Sequence, residues 1–208
     1  MGLQIKDNKK YLSIYGDGSL KLKVDENTEG AKSRTTKDGR IVWEKSYSSL
    51  SGKIKSVDFY DGEYGKNLQI TVEDKEEFVL SVGTGTSFGE SLMKVLPNIN
   101  LKESVEFKPY AIETEDKRRT GVTVYQNGNK LPNYFWDNLA KKPINGYPEP
   151  EGDKDSYSKE DWKIYYLKAR KFLIGYITEN IISKQEQEVP EKKVDYPVDE
   201  INPEDIPF

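Results

Sequence analysis

The chain has 208 residues, contains neither histidine nor cysteine, and carries a net charge of −4. Without imidazole or thiol groups it has no histidine general base, thiolate nucleophile, Cys/His zinc site or disulfide. Serine triads, cysteine proteases and zinc deaminases are therefore excluded. A mean hydropathy of −0.82 argues against a membrane span, and the first residues do not form a secretory signal, so we expect a cytoplasmic protein.

The charge is unevenly distributed along the chain. Residues 185–208 hold eight acidic side chains and two lysines, which gives this segment a net charge of −6 and leaves +2 for the rest. The segment also contains several prolines and few apolar residues, a composition typical of disorder. We therefore predict a mildly basic body with a disordered acidic tail.

Residues 1–39 predict a hairpin followed by a basic loop. Two short apolar stretches, residues 11–15 and 20–24, flank the sequence Gly16-Asp17-Gly18-Ser19, which suits a tight turn. Residues 25–39 have almost nothing to bury and predict a mobile loop.

Residues 40–136 predict a small β barrel. Alternating apolar residues indicate five strands, and a short helix with a capping box at Ser87 and Glu90 separates the third from the fourth. The strands are expected at residues 41–60, 67–72, 78–82, 104–112 and 121–125, the first of them long and bent. This order predicts a five-stranded Greek-key barrel of the oligonucleotide/oligosaccharide-binding (OB) type.

An OB barrel binds its ligand on strands 2 and 3, between the loops that follow strands 1 and 4. In this chain those loops are residues 60–66, called L12, and residues 113–120, called L45.

The C-terminal part of the chain predicts a connector and a helix. Residues 137–157 are rich in proline and glycine, and residues 158–184 place apolar side chains at helical spacing behind a capping box of Ser158 and Asp161. We interpret the apolar stripe as a packing face. The predicted fold class is mainly β: an OB barrel with an N-terminal hairpin extension, one short helix between strands 3 and 4, and a long C-terminal helix.

One alternative function is a metal-dependent nuclease. Glu73-Asp74-Lys75 and Glu115-Asp116-Lys117 each place an acid two residues before a lysine, and Asp58 or Asp61 could complete a metal site. Both triplets lie in turns of a chain that is 33% charged, where such patterns arise by chance. We therefore expect no catalytic centre, metal or cofactor.

Aromatic and cationic residues interleave along the predicted barrel. Nucleic-acid bases stack on flat side chains while Lys and Arg contact the phosphates, so this pattern favours single-stranded DNA (ssDNA). The candidate ssDNA-binding residues are Trp43, Lys45, Tyr47, Lys53, Lys55, Tyr60, Tyr64, Lys66, Lys108, Tyr110, Arg118 and Arg119. The same rings could stack on sugars, which leaves a virion or carbohydrate-binding protein as a second alternative.

The tip of the acidic tail is a candidate for partner binding. It consists of Asp205, Ile206, Pro207 and Phe208. An aromatic ring behind acidic residues suits an apolar pocket with a basic rim on another protein.

This tip, behind an OB-like body, resembles the tail tip of bacterial single-stranded DNA-binding proteins and of their bacteriophage counterparts. The resemblance is close at the tip and loose over residues 40–131. It implies a non-enzymatic protein that coats ssDNA without sequence preference in DNA replication, recombination or repair, and that recruits replication and repair proteins through its tail. The N-terminal hairpin and the helix at 158–184 differ from cellular members and favour a phage-encoded form, whose oligomeric state stays open.

Overall fold

The computed structural model describes residues 9–115 and 117–188, without the side chains of residues 186–188. The predicted partner-binding tip, Asp205, Ile206, Pro207 and Phe208, lies outside the described residues with the rest of the tail beyond residue 188. The described part is mainly β with a C-terminal helical segment, as the sequence predicts.

Within the described residues, ten strands form one sheet and two short strands pair separately. The strands are β1 (Lys10–Ile14), β2 (Leu20–Val24), β3 (Lys32–Thr35), β4 (Ile41–Tyr47), β5 (Leu50–Gly62), β6 (Gly65–Glu73), β7 (Glu77–Gly83), β8 (Ser104–Glu113), β9 (Arg118–Gln126), β10 (Asn129–Lys130), β11 (Trp136–Asp137) and β12 (Lys142–Pro143). The helices are α1 (Ser87–Val95), α2 (Lys159–Ile177) and α3 (Ser183–Glu188), with short 3₁₀ turns at Leu96–Asn98 and Lys154–Ser156. The order across the large sheet is β10-β9-β8-β5-β6-β7-β1-β2-β4-β3.

The long first strand of the predicted barrel is present, but it begins at Leu50, and β4 is a separate strand. Residues 50–53 of β5 pair with β8, and residues 53–62 pair with β6. At the change of partner, a Cβ on Gly52 would lie only 2.5 Å from the carbonyl oxygen of Glu73. This glycine and the bulge that follows Ile54 allow β5 to bend between two neighbours.

The sheet does not close into a barrel, so this part of the prediction is wrong. The five strands lie in the order β9-β8-β5-β6-β7, and closure would require β7 to pair with β9. The edge of β7 is instead taken by β1, which pairs with it in parallel from Lys10 opposite Phe78 to Ser13 opposite Ser81. The N-terminal hairpin satisfies the backbone groups that a free strand edge would expose.

The turn of this hairpin packs against the opposite side of the five-stranded unit. Gly18 is buried with a φ of 79°, and a Cβ on it would lie 2.7 Å from the backbone nitrogen of Ala111. Beside it, the Arg118 guanidinium donates a 2.6 Å hydrogen bond to the carbonyl of Gly16. Contacts made by a turn therefore connect the two sides that strand pairing would join in a closed barrel.

Residues 25–39 are not a loop throughout, which differs from the sequence prediction. Lys32–Thr35 forms β3 and pairs with β4. The side chain of Arg34 on β3 binds the Glu44 carboxylate on β4. A contact between strands, rather than burial of apolar residues, stabilises this segment, and local hydrophobicity does not reveal it.

Helix α1 covers the core side of the sheet. Its buried face contains Phe88, Leu92 and Met93, and it contacts β9 and β7. The N-cap is Thr86, whose hydroxyl accepts a hydrogen bond from the Gly89 N–H at 3.1 Å. The predicted capping box of Ser87 and Glu90 is therefore wrong: the N-cap lies one residue earlier, and Gly89 has no side chain with which to complete a box.

Helix α2 begins with the predicted capping box, in which Ser158 and Asp161 each accept a hydrogen bond from the backbone N–H of the other. Its buried residues, Ala169, Leu173 and Ile177, lie on one side, as the predicted packing stripe requires. A π-helical turn, Thr178–Ile182, leads into α3. None of the helices in the described part of the chain combines the length and the apolar character needed to cross a bilayer.

Five rings pack together between α2 and the segment that follows β10. This interior aromatic cluster consists of Tyr134, Phe135, Tyr147, Phe172 and Tyr176. Phe135 is 1% exposed, and its ring centroid lies 5.0–5.7 Å from those of the other four. The cluster joins α2 to the segment that follows β10.

Candidate nucleic-acid interface

Four connections lie at one end of the sheet, which we call the loop end: the β1–β2 turn, L12, the β7–α1 loop and L45. Thr84 in the β7–α1 loop donates hydrogen bonds from its N–H and its hydroxyl to the carbonyl of Lys66 in L12, at 3.0 and 2.8 Å. On the other side, the hydroxyls of Ser87 and Thr120 share a hydrogen bond that joins α1 to the end of L45, where β9 has already begun. The two loops predicted to flank a ligand therefore border the same end of the sheet.

L12 presents two exposed aromatic rings. Tyr60 is 58% exposed and Tyr64 is 95% exposed. Lys66 forms an ion pair of 2.8 Å with Asp61, so its charge is partly neutralised. The open faces of the two tyrosines are the main binding feature that L12 offers.

Strands β8 and β9 add a ring and cations beside the loop end. The ring of Tyr110 lies over Gly121, its partner on β9. A Cβ added to Gly121 would lie 3.0 Å from this ring, so the glycine leaves room for it. Lys108 and Arg119 are exposed and form no ion pair with any residue that the structure describes. Arg118, also exposed, binds the β1–β2 turn through one of its nitrogens.

The candidate residues of β4 are only partly brought to this surface. Trp43, Lys45 and Tyr47 share one face of the strand, as their alternation predicts. Tyr47 is 40% exposed. It lies three residues before Leu50, a span of about 11 Å at most, and Leu50 pairs with Phe107, the neighbour of Lys108 on β8. Trp43 and Lys45 are half-buried and lie further along β4, away from β8.

Two of the predicted lysines lie at the opposite end of the sheet. The backbone of Lys53 pairs with that of Glu73, the last residue of β6. The side chain of Lys55 forms an ion pair of 2.8 Å with the Glu73 carboxylate. The nine residues of β6 separate them from L12 by about 27 Å. The structure therefore does not place Lys53 and Lys55 with the loop-end residues.

The acidic residues of the nuclease alternative are dispersed. Asp61 pairs with Lys66, and Glu73 pairs with Lys55. Asp58 lies within β5, and Lys75 lies in the turn between β6 and β7. Among the described residues, no group of three acidic side chains is arranged to hold a metal ion.

Sequence reasoning missed a buried carboxylate that connects β2, β3 and β4. Glu44 is 5% exposed and accepts hydrogen bonds from Arg34 at 2.9 Å and from the Tyr15 hydroxyl at 2.7 Å, while the Lys21 ammonium lies 3.7 Å away. The hydrogen bond from Arg34 is the main reason that the pKa of Glu44 lies below its usual value, although burial acts in the opposite direction. Between Trp43 and Lys45 on an alternating strand, nothing in the sequence marks this acid as buried.

The apolar stripe of α2 predicts packing alone, so sequence reasoning does not identify the outward side of this helix as a candidate site. Trp162 and Tyr166 stack on each other, with centroids 5.8 Å apart and an interplanar angle of 28°. Lys159 and Lys163 stand one turn apart beside them. The available signal was the spacing of three and four residues between these rings and cations.

The loop end combines exposed rings with cations, which suits non-covalent binding of a polyanion that has flat bases. Comparison with family models, with curated proteins and with solved structures finds no match to this chain.

Proposed function

We propose that this protein binds ssDNA without sequence preference and acts as a binding protein, not an enzyme, in DNA replication, recombination or repair. The observation that carries the proposal is the position of L12 and L45 at one end of the sheet. There, Tyr60, Tyr64 and Tyr110 supply rings, and Lys108 and Arg119 supply charges that no described carboxylate neutralises.

Stacking explains why such a surface binds single strands and tolerates any sequence. Each base that stacks on an aromatic side chain contributes roughly 1–3 kcal/mol, and every base has a face to offer. Bases in a duplex are already stacked and paired, so the protein favours the open strand by binding it. Lys and Arg contacts to phosphate make the affinity fall with salt.

We further propose that the strands β9-β8-β5-β6-β7 are an OB-type unit whose closure is replaced by the N-terminal hairpin. The order of these strands and the bend of β5 at Gly52 support this assignment. It places the ligand on the outer face of β6 and β7, next to L12 and L45.

The acidic tail is proposed to bind replication or repair proteins through Asp205, Ile206, Pro207 and Phe208, on the strength of the resemblance of its tip. Deletion of residues 195–208 is expected to abolish binding of those partners while leaving a protein that still binds oligo-dT.

The test of DNA binding is a tryptophan-fluorescence titration with oligo-dT at two salt concentrations. We expect quenching whose affinity falls with salt by a log–log slope of about −0.7 for each phosphate contacted. Arg119→Glu at the loop end should weaken binding and flatten the slope. Lys37→Glu makes the same charge change on an exposed residue near the start of β4, and it should have little effect.

Three results would overturn the proposal. The first is no binding of oligo-dT in dilute buffer. The second is cleavage of labelled ssDNA with magnesium, which would favour the nuclease. The third is binding of an oligosaccharide with no salt-dependent affinity for DNA, which would favour the carbohydrate-binding alternative.

A further inference from the structure

The outward side of α2 contains a groove whose lining is cationic, aromatic and apolar. This helix groove has a volume of about 440 Å³ and is lined by Lys159, Trp162, Lys163, Tyr166, Leu167 and Arg170. No carboxylate is among these six side chains. In a chain that is 33% charged and has more acidic than basic residues, such a lining is unusual.

The two rings of the groove differ in exposure: Trp162 is half-buried and also contacts Tyr157 and Tyr165, whereas Tyr166 is turned outward. The helix packs on the core through Ala169, Leu173 and Ile177, whereas Tyr166 is 51% exposed. Trp162 stacks on Tyr166 and thereby holds the second ring in a fixed orientation. A fixed, exposed ring is a platform on which another flat group can stack.

The cations of the groove are available to a ligand. Lys159, Lys163 and Arg170 form no ion pair with the residues that the structure describes. Lys168, on a different side of the helix, is neutralised by Glu151 at 2.7 Å. Three of the five cations of α2 thus lie on the side that carries the stacked rings, and Lys168 and Lys171 lie elsewhere on the helix.

The groove is continuous with the loop end. The Arg170 guanidinium lies 3.0 Å from the position that a Cβ on Gly85 would occupy, and Gly85 belongs to the β7–α1 loop. From Arg170 to Trp162 the helix rises about 12 Å. A strand that leaves the loop end past Gly85 meets Arg170 first, then the stacked rings and the two lysines.

We propose that the helix groove is a second contact site for the same single strand, so that the DNA path extends from the loop end along α2. This inference rests on the proposed function and adds a length of bound strand to it. The charge of the lining, the exposed stacked ring and the continuity at Gly85 favour unpaired nucleic acid as the occupant over a second copy of the chain or an acidic peptide.

The test compares two oligo-dT lengths by fluorescence anisotropy of a labelled strand. A length of about 8 nucleotides fills part of one small barrel surface, which covers roughly 4–16 nucleotides, and a length of about 24 extends beyond it. The variants are Trp162→Ala and Lys163→Glu, the second being an exposed change that does not threaten folding. Lys37→Glu is the matched charge control.

We expect wild-type protein to bind the longer strand more tightly than the shorter one. Trp162→Ala and Lys163→Glu should each lower affinity for the longer strand about tenfold, the size of one lost stacking or charge contact, and leave the shorter strand within about twofold. Lys37→Glu should change neither.

Equal affinity of the wild-type protein for the two lengths would overturn this inference and leave the proposed function intact. An equal loss for both lengths in Lys163→Glu would also overturn it, because the helix would then act on the loop end. If wild-type protein binds neither strand, the proposed function and this inference both fail. Unchanged binding of the longer strand in Lys163→Glu, with a dimer or a peptide of residues 195–208 on the groove instead, would identify another occupant.

Discussion

The interior aromatic cluster and L12 use the same type of residue in opposite environments. Phe135 is 1% exposed and is surrounded by four rings. Tyr64 is 95% exposed and contacts no other ring in the described part of the chain. The difference teaches that aromatic content alone does not indicate a binding surface; the exposure of each ring decides between a stabilising role and a binding role.

The comparison is tested most strongly by Phe135→Ala. Loss of a fully buried ring leaves a cavity, and we expect the free energy of unfolding to fall by about 3–5 kcal/mol. Chemical denaturation measures this change. Oligo-dT affinity of the fraction that stays folded should be near that of the wild type. A loss below about 1 kcal/mol would contradict the assignment of this cluster to the core.

Gly18→Ala tests whether the hairpin turn holds the loop end together. At a φ of 79° alanine is strained, and its Cβ would meet the backbone of Ala111 at 2.7 Å. We expect the free energy of unfolding to fall by about 2–3 kcal/mol and DNA affinity to fall as well. Gly128→Ala, also at positive φ but with open space around its Cβ position, is the control for strain alone. Equal effects of the two substitutions would contradict the packing argument.

A double variant, Tyr60→Ala with Tyr64→Ala, tests whether the exposed rings of L12 serve binding and not stability. Loss of two stacking platforms should weaken oligo-dT binding by roughly 1–3 kcal/mol for each base that stacks on them. Because both rings are largely exposed, the free energy of unfolding should change by less than about 0.5 kcal/mol. Fluorescence titration and denaturation of the same preparation measure both quantities. A large loss of stability with unchanged affinity would reverse the roles assigned to the two regions.

Glu44→Gln tests a third environment, that of a buried carboxylate outside both the interior aromatic cluster and L12. We expect a loss of about 1–2 kcal/mol at neutral pH, since charge-assisted hydrogen bonds from Arg34 and Tyr15 are weakened and Arg34 is partly exposed. DNA affinity at neutral pH should not change.

The contribution of Glu44 to the free energy of unfolding depends on pH, and its direction follows from the pKa of this carboxyl. The pKa of Glu44 in the folded protein lies below its usual value of 4.5, so the unfolded chain takes up the proton first as the pH falls. The stability contributed by Glu44 is therefore complete above pH 4.5 and is lost as the pH falls through the folded pKa. Glu44→Gln should lack this part of the acid-induced loss when unfolding is followed from pH 6 to pH 3. An identical acid profile in both proteins would contradict the role of this carboxylate.

Several features of the fold followed from local sequence patterns. Period-two alternation located β6 and β7, and the helical spacing after Ser158 located α2. L12 and L45 each contain the expected connection, but it is shorter than the sequence predicts: β5 runs to Gly62 and β6 begins at Gly65, while β8 runs to Glu113 and β9 begins at Arg118. Their position at one end of the sheet depended on the hydrogen bonds of the β7–α1 loop, which no local pattern contains.

Other features of the candidate site were not accessible from the sequence. Lys53 and Lys55 share the composition of the binding residues, but β5 carries them to the far end of the sheet. The burial of Glu44 depends on Arg34, which lies on β3, and on Tyr15, which lies in the β1–β2 turn. The local sequence shows where a residue lies within its strand. The end of the sheet at which that residue then lies depends on how the strand pairs with its neighbours.

By itself, the sequence determined that this is a mainly β chain with a capped C-terminal helix, an acidic tail, and no histidine or cysteine chemistry. These properties depend on composition and on periodicities of two and 3.6 residues, which act over a few neighbours. Only the tertiary structure decided that β1 takes the edge of β7 and that the sheet stays open. An exposed strand edge accepts any segment that can satisfy its backbone hydrogen bonds, so the choice among distant segments is made by the packing of the whole molecule.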